Sequence, residues 1–267
     1  MSSNPGYLLA GKATELARLQ LQSRVWEPAG RELLATLAPA RRESAVDVGC
    51  GVMGWLRILS AWVQPNGSVV GSDIDDKMLA SAAELVRAEG LSNVKLVKDD
   101  LFASELPARS FDLVHARFQI APLGRAAEQL DAYMRLVRPG GVLVLEDPDI
   151  ASWRVNPDAP ATSDLISLID RGFEAAGGNF SSGREIPSLM RNAGLSPHVS
   201  ARVIALEPAH PYLRLPLQFA AALRPRLESL VAVDTLQDLL QRCDEELARE
   251  DAWGTTFTLI QAHATVP

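Results

Sequence analysis

Apolar residues fall along this chain in two alternating rhythms, preceded by a long helical stretch and followed by a looser one. Over residues 8–37, Leu8, Leu9, Leu16, Leu19, Val25, Trp26, Leu33, Leu34 and Leu37 recur at roughly helical spacing. Pro28 is expected to break that run into two helices, and Pro39 ends it. Short β-rich runs then alternate with helical ones. Residues 45–48, 68–72, 94–97, 111–115 and 142–145 read as strands; 54–63, 77–89 and 125–137 read as helices. Pro65-Asn66-Gly67, Gly90 and Pro139-Gly140-Gly141 punctuate them, Gly90 standing where a left-handed helix cap is favoured. Strands alternating with helices of about 10–15 residues predict right-handed crossovers and a parallel sheet.

After residue 150 the rhythm loosens. Residues 151–163 are rich in Pro, Asp and Ser and read as loop; 162–176 reads as a helix, and 177–183 is a glycine-rich loop. A helix over 185–192, a strand over 198–206, helices over 216–231 and 235–249, and a last strand over 255–264 complete the expectation. Three regions emerge: an N-terminal helical cap over 1–40, an α/β core over 41–150, and a remainder over 151–267 that returns to the sheet and inserts two helices as a lid.

Composition narrows the class. The 267 residues are 47% hydrophobic and 22% charged, enough for a sizeable core without disulfides or a structural metal. Cys50 and Cys243 lie in no CxxC or Cys/His cluster, which excludes a zinc ribbon and fits a reducing compartment. No basic start leads into an apolar signal segment, and no run of about 18 apolar residues exists to span a bilayer. A cytoplasmic protein without a membrane partner is expected. The net charge of −7 argues against nucleic acid as a partner.

Candidate chemistry begins at the first strand, which runs through Asp47 into Gly49-Cys50-Gly51-Val52-Met53-Gly54. Glycines there let the backbone turn sharply and let a ligand approach without a Cβ in the way. The string fits the G-x-G-x-x-G fingerprint of dinucleotide sites, a weak signal alone. Asp73 ends the second strand, 22 residues after Gly51, where a carboxylate can accept both hydroxyls of a ribose; Ile74 can lie on an adenine face. Asp100 ends the third strand, placed to accept an exocyclic adenine amine, with the Leu101 amide donating to a ring nitrogen. Either acid alone reads equally well as a helix cap or turn former. At successive strand ends, where open α/β sheets bind ligands, they point to a nucleoside site.

On these residues the chain resembles a class I S-adenosylmethionine-dependent methyltransferase. Asp47-x-Gly49-x-Gly51 matches that family's first motif and Asp73-Ile74 its acidic second; Lys98-Asp99-Asp100-Leu101 resembles the third, Phe111-Asp112-Leu113-Val114 the fourth strand, and Arg138-Pro139-Gly140-Gly141-Val142-Leu143 the turn into the fifth. The likeness runs in order from about residue 45 to 150. Residues 7–26, His115-Ala116-Arg117-Phe118 and Gly183-Arg184-Glu185-Ile186-Pro187 are similar to small-molecule members of bacterial specialised metabolism. The resemblance implies a Rossmann-like, mostly parallel seven-stranded sheet flanked by helices, with its last strand (around 257–261) antiparallel. It implies S-adenosyl-L-methionine as cofactor, held by Tyr7, Gln22, Asp47, Gly49, Cys50, Gly51, Asp73, Ile74, Asp100, Leu101 and Arg117, with no metal. The chain departs from the family at Met53, which stands where a third loop glycine is usual and is expected near the cofactor's amino-acid tail. It departs again at 119–124, which lacks the histidine relatives often carry.

For the reaction, methyl transfer to O, N or C of a small, largely apolar acceptor is expected, a natural product or its precursor. His210, in a proline-rich loop after the sixth strand, is the candidate base; otherwise it is an exposed loop residue. Arg117 is expected to act on an anionic or carbonyl group, or else to pair with Glu146 or Asp149. His115, His198 and His263 read as core histidines. Trp153, Phe180 and Phe219 suggest a greasy pocket or plain core packing. Leu217, Phe219, Ala220, Ala221, Leu223, Leu227 and Leu230 give the helix over 216–231 an apolar face that can roof a pocket or form a homodimer contact. Two other functions compete. One is a cyclase or non-methylating scaffold on the same fold. The other is a nicotinamide-dependent oxidoreductase, disfavoured by Asp47, by Asp99-Asp100 and by the lack of a Tyr-x-x-x-Lys pair.

Overall fold

The structure is a computed structural model that describes residues 13–39, 41–63 and 65–267. Its first half alternates as the sequence pattern predicts: β1 (Ser44–Val48), α2 (Leu56–Trp62), β2 (Ser68–Asp73), α3 (Asp76–Ala88), β3 (Val94–Lys98), β4 (Phe111–Arg117), α4 (Ile120–Leu123), α5 (Ala126–Leu136) and β5 (Val137–Asp149), all preceded by the helix α1 (Ala13–Thr36). The second half holds β6 (Arg154–Asn156), α6 (Pro160–Glu174), α7 (Ile186–Asn192), β7 (His198–Arg202), β8 (Ala205–Leu206), α8 (Leu215–Leu227), α9 (Val233–Leu247), β9 (Trp253–Thr255) and β10 (Thr258–Thr265). No helix among the described residues is long and apolar enough to cross a membrane.

Seven strands form one sheet in the order β3-β2-β1-β4-β5-β10-β7. Parallel pairing joins β3 through β5, and β10 runs antiparallel to both its neighbours. The fold is therefore the expected Rossmann-like sheet with a reversed final strand. The central strands carry apolar runs because helices cover both faces. Val46, Val48, Val114, Leu143 and Leu145 pack against Leu130, Tyr133 and Leu136 of α5 and Ile186 and Met190 of α7. On the other face Ala45, Leu113, Val142 and Val144 meet Leu33 and Leu34 of α1, Leu37 just after it, and Leu56 and Leu59 of α2. A third cluster joins α6, α8 and α9 with Trp26 of α1 and the aromatic residues Trp153, Phe173, Phe180, Phe219 and Phe257.

Several expectations are corrected. α1 runs unbroken through Pro28. Pro28 is exposed while Trp26, Ala29, Leu33 and Leu34 are buried, so the missing N–H falls on the solvent side and packing holds the helix together. The expected loop over 151–163 contains β6 and the start of α6, whose Pro160 fills a first-turn position that needs no donor. The single strands expected over 198–206 and 255–264 each split in two. β7 and β10 stay in the main sheet, whereas β8 and β9 leave it with β6 to form a separate sheet ordered β6-β9-β8. Thr256 is the pivot: its N–H donates to the Ile204 carbonyl (3.0 Å) and its Oγ1 accepts the Ile204 N–H (3.0 Å).

Candidate functional site

A cavity of about 580 Å³ opens at the carboxyl ends of β1, β2, β3 and β4. Its floor is the turn after β1. Gly49 has φ +66°, and a Cβ there would overlap the side chain of Gln119, whose Nε2 donates to the Gly49 carbonyl (3.3 Å). Gly51 has φ +54° and faces open space within 4 Å of its Cβ position. Its N–H donates to Asp73 Oδ2 (2.9 Å), tying the turn to the end of β2. A Cβ at Gly54 would strike the Asp47 carboxylate, which accepts the Trp55 N–H at 2.6 Å. Gly54 thus provides the third close approach. Met53 is buried in the core with Leu33 and Leu34 and does not line this cavity, which sets it away from its expected place beside a cofactor tail. Cys50 lines the cavity; burial and then Asp47 and Asp73 push its thiol pKa well up, so it is an inert thiol.

The acidic wall matches the sequence reading in position. Asp73 accepts from Gly51 through Oδ2 and from the Asp75 N–H through Oδ1 (2.9 Å), leaving further lone pairs toward the cavity. Burial raises its pKa against the pull of those amides. Asp100 caps a single 3-10 turn by accepting the Phe102 N–H (3.0 Å), and Ile74, Asp100 and Leu101 all line the cavity. The readings as turn former and cap hold, and the same carboxylates also edge the cavity. Phe102 is a lining residue that sequence reasoning missed. It is 37% exposed, with the Arg125 guanidinium 3.7 Å from its ring centroid. Nothing in its spacing distinguishes it from any other loop aromatic.

Behind the turn lies a buried polar row. The register sets Asp47 of β1 beside His115 of β4, Arg117 of β4 beside Glu146 of β5, and Glu146 beside Gln261 of β10, all on the face that α1 covers. His115 is fully buried and lines neither cavity, consistent with a core histidine, but both of its nitrogens face carboxylates. Arg117 reaches the cavity and, of its two expected partners, pairs with Glu146 (3.8 Å); its Nη1 is buried and makes no hydrogen bond. Asp149 instead pairs with Arg184. Next to Glu146, Asp147 points to the opposite face, where it accepts the Ile120 (3.1 Å) and Ala121 (2.9 Å) N–H groups and the Ser182 hydroxyl (3.1 Å). Burial raises its pKa to about 7 against those donors.

α1 closes the cavity with Leu19, Gln22 and Ser23, the Ser23 hydroxyl donating to the Gly54 carbonyl (3.0 Å). Tyr7 lies outside the described residues. Gln22 and Phe118 also line a second, smaller cavity of about 30 Å³, walled by Phe173, Phe180, Phe219 and Phe257. Arg18 is the only charged residue lining it among the described ones; its Nη1 donates to Gln22 Oε1 (2.9 Å) and its guanidinium lies 4.7 Å from the Phe219 centroid. Trp153 backs this wall, stacked on Phe180 at 5.5 Å. Phe180 and Phe219 so serve pocket and core at once. His210 comes to neither cavity: its Nδ1 accepts the Tyr212 N–H (3.1 Å) and caps a short 3-10 turn. His198 is exposed and His263 half-buried, so neither is the core histidine expected; they stack on each other (5.2 Å) at the β7 edge of the sheet.

Comparison with known proteins agrees with this geometry. Residues 45–141 match a family described as a methyltransferase domain. A demethylmenaquinone methyltransferase of Geobacillus stearothermophilus is 31% identical over 114 residues, 43% of this chain and 49% of that protein. The chain thus spans about half the length of the curated relatives it matches. Among solved structures, a SAM-dependent methyltransferase from Aquifex aeolicus shares the fold at TM-score 0.54 and 22% identity, over 73% of this chain and 93% of that one. A geranyl diphosphate methyltransferase in complex with SAM does so at TM-score 0.52 and 19% identity, over 100% and 96%. Residues 45–141 are thus similar to a methyltransferase domain.

Proposed function

We propose, with a methyltransferase domain at residues 45–141 as the premise, that the chain is an S-adenosylmethionine-dependent methyltransferase acting on a small, largely apolar acceptor. The carrying observation is the pair of adjoining cavities: a polar one edged by Asp73, Asp100 and glycine amides, and an aromatic one reached past Gln22 and Phe118. The residues fit the cofactor. Asp73 suits a ribose diol, Ile74, Leu101 and Phe102 suit an adenine, and the unbonded Nη1 of Arg117 with the open face of Gly51 suits an amino-acid end. Gln22 sits beside them on α1. When bound, the cofactor supplies an electrophilic methyl group on a sulfonium.

The chain's own contribution is alignment and exclusion of water. The phenylalanines give an acceptor an apolar wall beside α1 and α8; at about 30 Å³ their cavity takes only a small apolar part of it and does not enclose it. Among the described residues, those lining the aromatic cavity include no His, Tyr, Cys, Asp or Glu to take a proton. Arg18 there suits an acceptor that arrives with an anionic or strongly polarised oxygen, such as a phenolate or enolate, which needs no local base. His210 accordingly has no place in this proposal as a base.

Calorimetric titration of the chain with S-adenosylhomocysteine tests it. Saturable one-to-one binding that excludes S-adenosylmethionine is expected. Preference for a nicotinamide dinucleotide would contradict it. Transfer of label from methyl-labelled cofactor to small phenolic or enolic acceptors separates methyl transfer from a scaffold or cyclase role.

A further inference from the structure

The buried polar row is centred on His115, which the proposed reaction has not used. His115 Nδ1 lies 2.7 Å from Asp47 Oδ1, and Nε2 lies 3.1 Å from Glu146 Oε2. A neutral imidazole has one donor nitrogen and one acceptor, whereas a carboxylate only accepts. With a neutral ring, one of these two contacts sets lone pair against lone pair. A doubly protonated ring donates to both. The other oxygen of each carboxylate already receives an N–H, from Trp55 to Asp47 (2.6 Å) and from Gln261 Nε2 to Glu146 (2.6 Å). With Arg117, two cations then balance two anions in a region sealed from water. Trp55 lies flat on the imidazole, centroids 3.7 Å apart and planes 11° apart, a geometry suited to a ring cation.

We propose that His115 is an imidazolium and a positioning residue, whose two hydrogen bonds fix the groups that receive the amino-acid end of the cofactor. Through Asp47 it holds the Trp55 amide and so the turn 49–55; through Glu146 it holds the guanidinium of Arg117. The inference rests on the function proposed above. The groups facing the ring are Asp47 from β1, Glu146 from β5 and Arg117 from β4 itself, with uncharged Gln261 from β10, Trp55 from the turn and the Ala29 carbonyl of α1, which accepts from Gln261. Burial by itself lowers the pKa of this histidine, but Asp47 and Glu146 together raise it.

Two readouts on the full chain test the inference. In a long-range ¹H–¹⁵N spectrum at about pH 7, both ring nitrogens of His115 should carry protons. The isosteric Glu146→Gln variant should leave only one, because its amide can donate to Nε2. In calorimetry with S-adenosylhomocysteine from about pH 6 to about pH 10, wild-type affinity should fall as the ring loses its second proton. That fall should move down by about one pH unit or more in Glu146→Gln and should be absent in His115→Asn. Titration of the ligand's own amino group and of Asp147 is common to all three proteins. A singly protonated wild-type ring, or superimposable pH profiles for wild type and Glu146→Gln, would overturn the inference. Failure of the wild type to bind S-adenosylhomocysteine would instead overturn the proposed function, while the ring spectrum still decides the charge on His115.

Discussion

The two cavities are built on opposite plans. The larger is made by consecutive strand ends of one domain, so its turn glycines and acids lie within residues 47–102. The smaller draws its walls from Arg18 and Gln22 on α1, Phe118 after β4, Phe173 on α6, Phe180, Phe219 on α8 and Phe257 before β10. Backbone amides and carboxylates that bind a constant cofactor need fixed spacing, so they leave a motif. Aromatic walls need only size and apolarity, so they leave none. The first region holds a buried network of charges, the second a cluster of edge-to-face rings. Substitutions in the first should act on cofactor binding and on pH dependence, and those in the second on acceptor choice.

The largest effect is expected in the charge network. His115→Leu strands Asp47 without a counter-ion, leaves Glu146 with Arg117 alone, and should cost about 3–5 kcal/mol of stability by urea unfolding, the scale for breaking a buried pair. The sign with pH also follows. The folded-state pKa of His115 is raised above 6.5, so its stabilisation is complete below that value and is lost as pH climbs through the folded pKa. Asp147 acts in the same direction over a lower window. Its pKa rises from 3.8 to about 7 on folding, so stability should decline as pH rises between these values, and Asp147→Asn should flatten that slope.

Asp73→Ala comes next, with cofactor-product affinity weakened by about 2–3 kcal/mol, the scale of charge-assisted hydrogen bonds. Thermal stability should change less, since only the Gly51 and Asp75 amides lose a partner. Gln22→Ala should weaken the same binding by about 1 kcal/mol, because Gln22 edges both cavities without sitting in the charge network. Its effect sharpens the comparison by reading the boundary. Smallest on this scale is Phe219→Leu, which should leave product affinity within about 0.5 kcal/mol while changing which acceptors are methylated. A large loss of cofactor affinity there would dissolve the distinction between the two regions.

Much of the first region was legible in the sequence. Asp47, Gly49, Cys50, Gly51, Asp73, Ile74, Asp100, Leu101 and Arg117 all line the cavity, as does Gln22. What escaped was non-local. The contact between Gly54 and Asp47 depends on a turn path that pushes Met53 into the core, and the His115 row depends on register across four strands. The three-stranded sheet has strands of two or three residues, too short for alternation to show. Pro28 misled because its exposed side of α1 is invisible until the buried side is known. His210 looked available in a proline-rich loop, yet its ring is spent on the Tyr212 amide.

The most direct test of the two-region reading is a crystal structure of the chain with S-adenosylhomocysteine. The ribose should lie on Asp73, the adenine between Ile74 and Leu101, and the sulfur should face the gap between Gln22 and Phe118 that leads to the aromatic cavity. A sulfur directed to open solvent, or an adenosyl group bound away from Asp73 and Asp100, would contradict it.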